Sequence, residues 1–183
     1  MAKEPKELDG AHMAMLAEFN KASPVPKTGD DDVVKRRNLP IEKFLPGDEK
    51  LAKAFAYWAA KRKDGLLPAR KEIDVLDLRP LIGWMHLVEV GGREPANYAY
   101  RLLGSAVRLN HAPNVNSFRL GDYRPGPYRD SLYEDYSSVT FTGVPTYQQV
   151  VAMLAYVQYS YSRLILPMAD DGRQVDTLLV CIN

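Results

Sequence analysis

Apolar residues along this chain recur at two periods, and the change between them divides it. In LPGDEKLAKAFAYWAAKRKDGLLP, Leu51, Phe55 and Trp58 fall at i, i+4 and i+7, which makes one apolar helical stripe. Asp48 stands where an N-cap belongs, Lys61, Arg62 and Lys63 complement the carbonyl end, and Gly65 can stop the helix. The pattern predicts a helix over residues 48–64. Its stripe must be covered, as core or as an oligomer contact.

Further along, the period becomes two. WMHLVEV reads as a strand, and NYAYRLL returns beside it after the GGREP turn. Strict alternation puts Tyr98, Tyr100 and Leu102 on one face and Asn97 and Arg101 on the other. PTYQQVVAML, YVQYSYSRLILPM and QVDTLLVCI read as three more strands, the last two joined through the ADDGR turn. Between the two groups, YRDSLYEDYSSVTF places Leu132, Tyr136 and Val139 or Thr140 on one helical face. The order is strand, strand, small helices, a longer helix, three strands. That predicts an α+β domain with one five-stranded antiparallel sheet and helices segregated to a face, and it disfavours a doubly wound parallel sheet.

The first 45 residues read as an extension. Met13 and Leu16 suggest a short helix over residues 8–20. SPVPKTGDDDVVKRRNLP, with its prolines and charge triplets, offers little apolar area to offset ordering and reads as a linker. Lys35, Arg36 and Arg37 are then a solvated charge run. The domain proper occupies residues 46–183.

Composition narrows the function classes. Lys+Arg 24 against Asp+Glu 23 gives a net charge of +1, which argues against a general nucleic-acid surface. MAKEPKELDG lacks a signal-peptide profile and no apolar run approaches the ~18 residues of a membrane span, so a soluble, cytoplasmic protein is expected. The single cysteine, Cys181, can form neither an internal disulfide nor a cysteine metal cage. His12, His86 and His111 are scattered, and no nucleophile-elbow, P-loop or dinucleotide motif occurs. Glu134–Asp135 and Asp170–Asp171 read as structural pairs, and Cys181 as a small buried hydrophobe. No enzymatic constellation is expected.

Three ordered stretches carry a resemblance. Leu67, Pro68, Arg70, Ile73 and Asp74 form one, Tyr100, Arg101, Leu102, Leu103, Gly104 and Ser105 the second, and Leu166, Pro167, Asp171 and Gly172 the third. Over residues 66–182 the chain resembles the stand-alone bacterial subfamily of PAS domains. HAPNVNSFRLGD departs from that pattern, in a region that lines the pocket in the family. The resemblance implies a five-stranded antiparallel sheet curled around short helices, with an extra N-terminal helix on its outer face, a role the 48–64 helix fits. Gly104 would let the chain leave strand two and turn over the concave side.

On that fold, if Tyr98, Tyr100 and Leu102 face the helices, Trp84, His86 and Val88 line the same hollow. Leu164, Leu166, Leu178 and Val180 extend it from the last strands, and Val107, His111 and Tyr136 from the helices. The candidate ligand-binding residues are therefore Trp84, His86, Tyr98, Tyr100, Val107, His111, Tyr136, Leu164 and Leu166. An apolar wall with His and Tyr tips suits a small-molecule site and equally a packed core. The cofactor is unknown. Haem is not expected, because neither His86 nor His111 sits on the longer helix before strand three. Flavin photochemistry is not expected either, because Cys181 sits on a strand.

The reading is a non-enzymatic sensory domain that binds a small ligand in its concave pocket and signals to another polypeptide. The alternative is an interaction module with a filled core. It would form a homodimer through the 48–64 helix and an outer sheet face carrying Tyr159, Tyr161 and Arg163. An enzyme on a similar cone would need a deep acid or base, for which His86 is the one nominee.

Overall fold

The structure, a computed structural model, describes residues 33–106, 118–154 and 157–183. Along the chain run β1 (Val33–Leu39), α1 (Glu49–Lys61), β2 (Met85–Glu89), β3 (Ala99–Leu103), α2 (Pro127–Thr142), β4 (Thr146–Leu154), β5 (Val157–Met168) and β6 (Thr177–Ile182). The strands form one antiparallel sheet in the order β1-β4-β5-β6-β2-β3. This is the expected α+β arrangement with a sixth strand added at one edge.

That added strand corrects the linker reading of residues 33–39. Lys35, Arg36 and Arg37 alternate across a strand paired with β4 from Val33↔Met153 to Leu39↔Tyr147. Three like charges in a row look solvated in sequence. On a strand only alternate ones share a face, and Arg36 is turned toward α2, where Glu134 and Asp135 receive it. The helix expected over residues 8–20 lies outside the described residues.

Helix α1 covers one face of the sheet. Leu51, Ala54 and Trp58 are buried, and the Trp58 indole donates to the Pro167 carbonyl at 2.8 Å, pinning the helix to β5. Phe55, expected in the stripe, is half-buried and sits beside Phe44 and Trp58. Asp48 holds the N-cap position but makes no capping bond. Its carboxylate instead accepts from the Tyr147 hydroxyl and from Asn183 at 2.8 Å, joining the helix start to β4 and the chain end.

Register fixes which residues face which helix. Tyr147 stands opposite Leu164, and Leu164 opposite Cys181, so these share the α1 side, as do Leu166 and Leu179. Gln148, Arg163, Ile165, Val180, His86 and Val88 occupy the other side, beneath α2. This inverts the expected faces of β5. Both faces of that strand are covered, so its central residues 162–168 are buried without alternation and the sequence offers no parity to read.

A second departure lies between β2 and β3. Leu87 pairs with Leu102 but Val88 pairs with Tyr100, so Arg101 is an extra residue in a bulge. The bulge returns Leu102 to the α1 side while Tyr100 stays under α2, so the two do not share a face. Arg101 closes on Glu89 at the surface, 2.6 Å from Nε to Oε2.

Gly104, just beyond β3, is required for space rather than for a turn. A Cβ there would lie 2.5 Å from the Gly83 carbonyl oxygen and 2.8 Å from that of Met85. Both are backbone atoms that cannot yield.

Candidate functional site

The concave face, between the sheet and α2, has a polar base and an aromatic wall. Arg163, 2% exposed, anchors the base. Its Nη2 donates to Asp135 on α2 and, at 2.8 Å, to Gln148 on β4, while Nε reaches Gln148 at 3.2 Å. Gln148 in turn donates to Asp135 and to Asn38 of β1, both at 3.0 Å. Arg36 comes to Asp135 from the sheet edge at 2.7 Å, and also donates to the Ser131 carbonyl and to Glu134. A buried guanidinium is tolerated only when its donors are met. Asp135 and Gln148 meet the Nε and Nη2 donors of Arg163, and this fixes α2 over the middle of the sheet.

The wall is a chain of rings. His86 meets Tyr100 edge-on with centroids 5.7 Å apart, and Tyr100 meets Phe118 at 5.5 Å. Phe118 and Tyr123 stand 5.0 Å apart, and Tyr123 and Tyr128 5.9 Å. Backbone bonds hold Phe118 there, because Tyr100 N–H donates to the Phe118 carbonyl and Leu120 N–H to that of Tyr98. The Tyr100, Tyr123, Tyr128, Tyr136 and Tyr161 phenols interact with one another, and those of Tyr128, Tyr136 and Tyr161 interact with Arg163. Leu132, Tyr136 and Val139 are buried on one face of α2, as the spacing predicts.

Burial sets the electrostatics. It pushes the Tyr136 phenol up to about 12 and raises those of Tyr100, Tyr123 and Tyr128. These hydroxyls stay protonated and serve as hydrogen-bond donors and acceptors. Burial, with the Arg163 charge nearby, lowers His86 to about 4. Its Nδ1 accepts the Gly104 N–H at 3.2 Å, so the ring is neutral at pH 7 and carries its proton on Nε2. His86, nominated for acid–base work, is thus held in one neutral tautomer. The arrangement equips the face for binding: flat rings for stacking, phenols for hydrogen bonds, and a rigid charged base.

Of the expected site residues, the structure brings His86, Tyr100 and Tyr136 together here. Val88, Leu178 and Val180 share the face. Leu164 and Leu166 pack toward α1, on the opposite side of the sheet from the hollow. Tyr98 is buried ahead of β3, and Trp84 is half-buried at the end of the 3-10 segment Val75–Trp84. Val107 and His111 lie outside the described residues. The sequence reading missed Phe118, Tyr123, Tyr128 and Gln148 and took Asp135 only as half of a structural pair. It set Tyr159, Tyr161 and Arg163 on the outer face, whereas the register puts these three on the α2 side with Arg163 buried against Asp135. One signal was available for Arg163 and Asp135: Arg163 stands directly before the apolar run Leu164–Met168, and an arginine buried there needs a carboxylate, which Asp135 supplies.

Among the described residues no group of His, Cys, Asp and Glu could hold a metal ion, and no helix is long and apolar enough to cross a membrane. A family model described as PAS domain matches residues 48–182. Comparison with curated proteins and with solved structures gave no match.

Proposed function

The chain belongs to the PAS domain family, whose members are generally non-enzymatic sensory and signalling modules, and from that premise we propose that it senses a small molecule held on its concave face. The observation that carries this reading is the convergence of five tyrosines, His86 and Arg163 beneath α2. Phe118, Tyr123, Tyr128 and Tyr161 are only half-buried, so these four rings keep part of their surface accessible to a bound molecule. A molecule with a flat apolar face and hydrogen-bonding edges matches these rings and hydroxyls. Output passes to another polypeptide. Any contact made by α1 uses its outward residues, such as Lys50, Lys53 and Ala56, because Leu51, Ala54 and Trp58 are spent on the sheet.

Thermal shift against a small-molecule panel tests the reading. A ligand at a hundred times its Kd stabilises by about 2.7 kcal/mol, or roughly 5–10 °C for a chain of this length. At least one compound is expected to give such a shift, lost in Tyr161→Ala and retained in Leu179→Val on the α1 side. Shifts that survive Tyr161→Ala, or none across the panel, contradict it.

A further inference from the structure

Strand β1 precedes the family-matched residues 48–182, yet it contributes to the base of the concave site. Its three residues on the α2 side each do something specific. Val34, opposite Ala152, packs against the cluster of Ala152, Leu154 and Tyr159, Arg36 reaches Asp135 and Glu134, and Asn38 accepts from Gln148. Apolar burial does little to hold the strand: none of its seven residues is buried, and Val33 is 49% exposed. Among the described residues β4 is its one strand neighbour. Attachment rests on the β4 ladder, on the Arg36 and Asn38 contacts, on the Arg37 bond to Gln149, and on the partly buried Val34 and Leu39.

We propose that β1 is a releasable strap over the β4 edge of the concave site. It detaches as a unit while the other five strands remain paired, since an edge segment with few buried apolar contacts opens at lower free energy than core strands. Release strips Arg36 from Asp135 and Asn38 from Gln148 and uncovers the β4 edge beside the cluster of Ala152, Leu154 and Tyr159. The site then opens from the side, and its state is linked to whatever precedes Val33 in the chain. Growth of the sheet by pairing two β1 edges is disfavoured, because antiparallel pairing centred on Arg36 would set Lys35 of each copy against Arg37 of the other. This inference goes beyond ligand sensing and does not require a ligand.

Hydrogen exchange on the full chain tests it. Amides of residues 33–39 are expected to exchange at least about a hundredfold faster than those of β5 and β6. Arg36→Gln removes charged hydrogen bonds and is expected to speed β1 exchange by roughly tenfold or more while β5 and β6 stay unchanged. Leu164→Ala, on the α1 side, should instead speed β5 and β6. Should Arg36→Gln fail to fold, Arg36→Lys provides the same comparison. One common exchange rate for β1, β5 and β6 overturns the strap, and so does an Arg36 variant that leaves β1 unchanged or accelerates all three alike.

Discussion

Arg163→Met probes the packing of the concave face most sharply. The guanidinium is 2% exposed and holds both Asp135 and Gln148. Breaking a buried ion pair from one side costs about 3–5 kcal/mol. Asp135 keeps Arg36 at 2.7 Å and Gln148 at 3.0 Å, which places the loss at the lower end. The Gln148 carbonyl oxygen loses its guanidinium donors, adding about 1 kcal/mol. The sum is about 4 kcal/mol, or a melting temperature lower by roughly 8–16 °C at this chain length. Urea unfolding followed by tryptophan fluorescence measures it, with an unchanged m-value showing that the folded state is intact. Asp135→Leu combined with Arg163→Met should cost less than the two singles together, by roughly 2 kcal/mol, because neither partner is then left buried and unmet. Were Arg163 on an exposed outer face, its substitution would stay within about 0.5 kcal/mol of wild type. A change that small, or strict additivity in the double variant, refutes the packing described here.

Other substitutions separate the remaining parts of the account. Gly104→Ala forces a Cβ against two backbone carbonyls, so it should cost about 3 kcal/mol or more in chemical denaturation; stability within about 0.5 kcal/mol of wild type counts against that contact. Trp58→Glu buries a charge where an indole N–H met a carbonyl, and should lower unfolding free energy by at least about 4 kcal/mol. A variant that melts with wild type while light scattering shows only a split dimer would place the stripe at an interface. His86 is near 4 in the folded chain against 6.5 when unfolded, so protonation favours unfolding. Its contribution is full above pH 6.5 and is lost as pH falls toward 4, by about 3 kcal/mol in all. His86→Gln should flatten the stability profile over that window, and a profile still parallel to wild type contradicts the assignment.

What could be read from sequence followed from periodicity, and what could not followed from its failure. The α1 stripe and the β5–β6 hairpin were legible because each has one covered face or a turn with definite chemistry; the Asp171 carboxylate caps that turn through the Arg173 and Gln174 amides. The facing of β5 was illegible because layers on both sides bury it, so Leu164 and Arg163 are equally hidden. Leu102 was misplaced because one inserted residue, Arg101, reverses parity without any mark in the sequence. β1 was missed because Lys35, Arg36 and Arg37 resemble a solvated run until α2 is seen to hold a carboxylate pair above Arg36. His86, Tyr100 and Tyr136 followed from family resemblance and strand and helix spacing. The Arg163–Asp135–Gln148 base joins residues far apart along the chain, and only the folded arrangement brings them together.

Native mass spectrometry of the purified full chain tests ligand sensing most directly. Wild type should carry a small-molecule mass beyond that of the polypeptide, released on denaturation and absent from Tyr161→Ala. A wild-type mass equal to the bare chain, unchanged after incubation with a broad small-molecule extract, would contradict it.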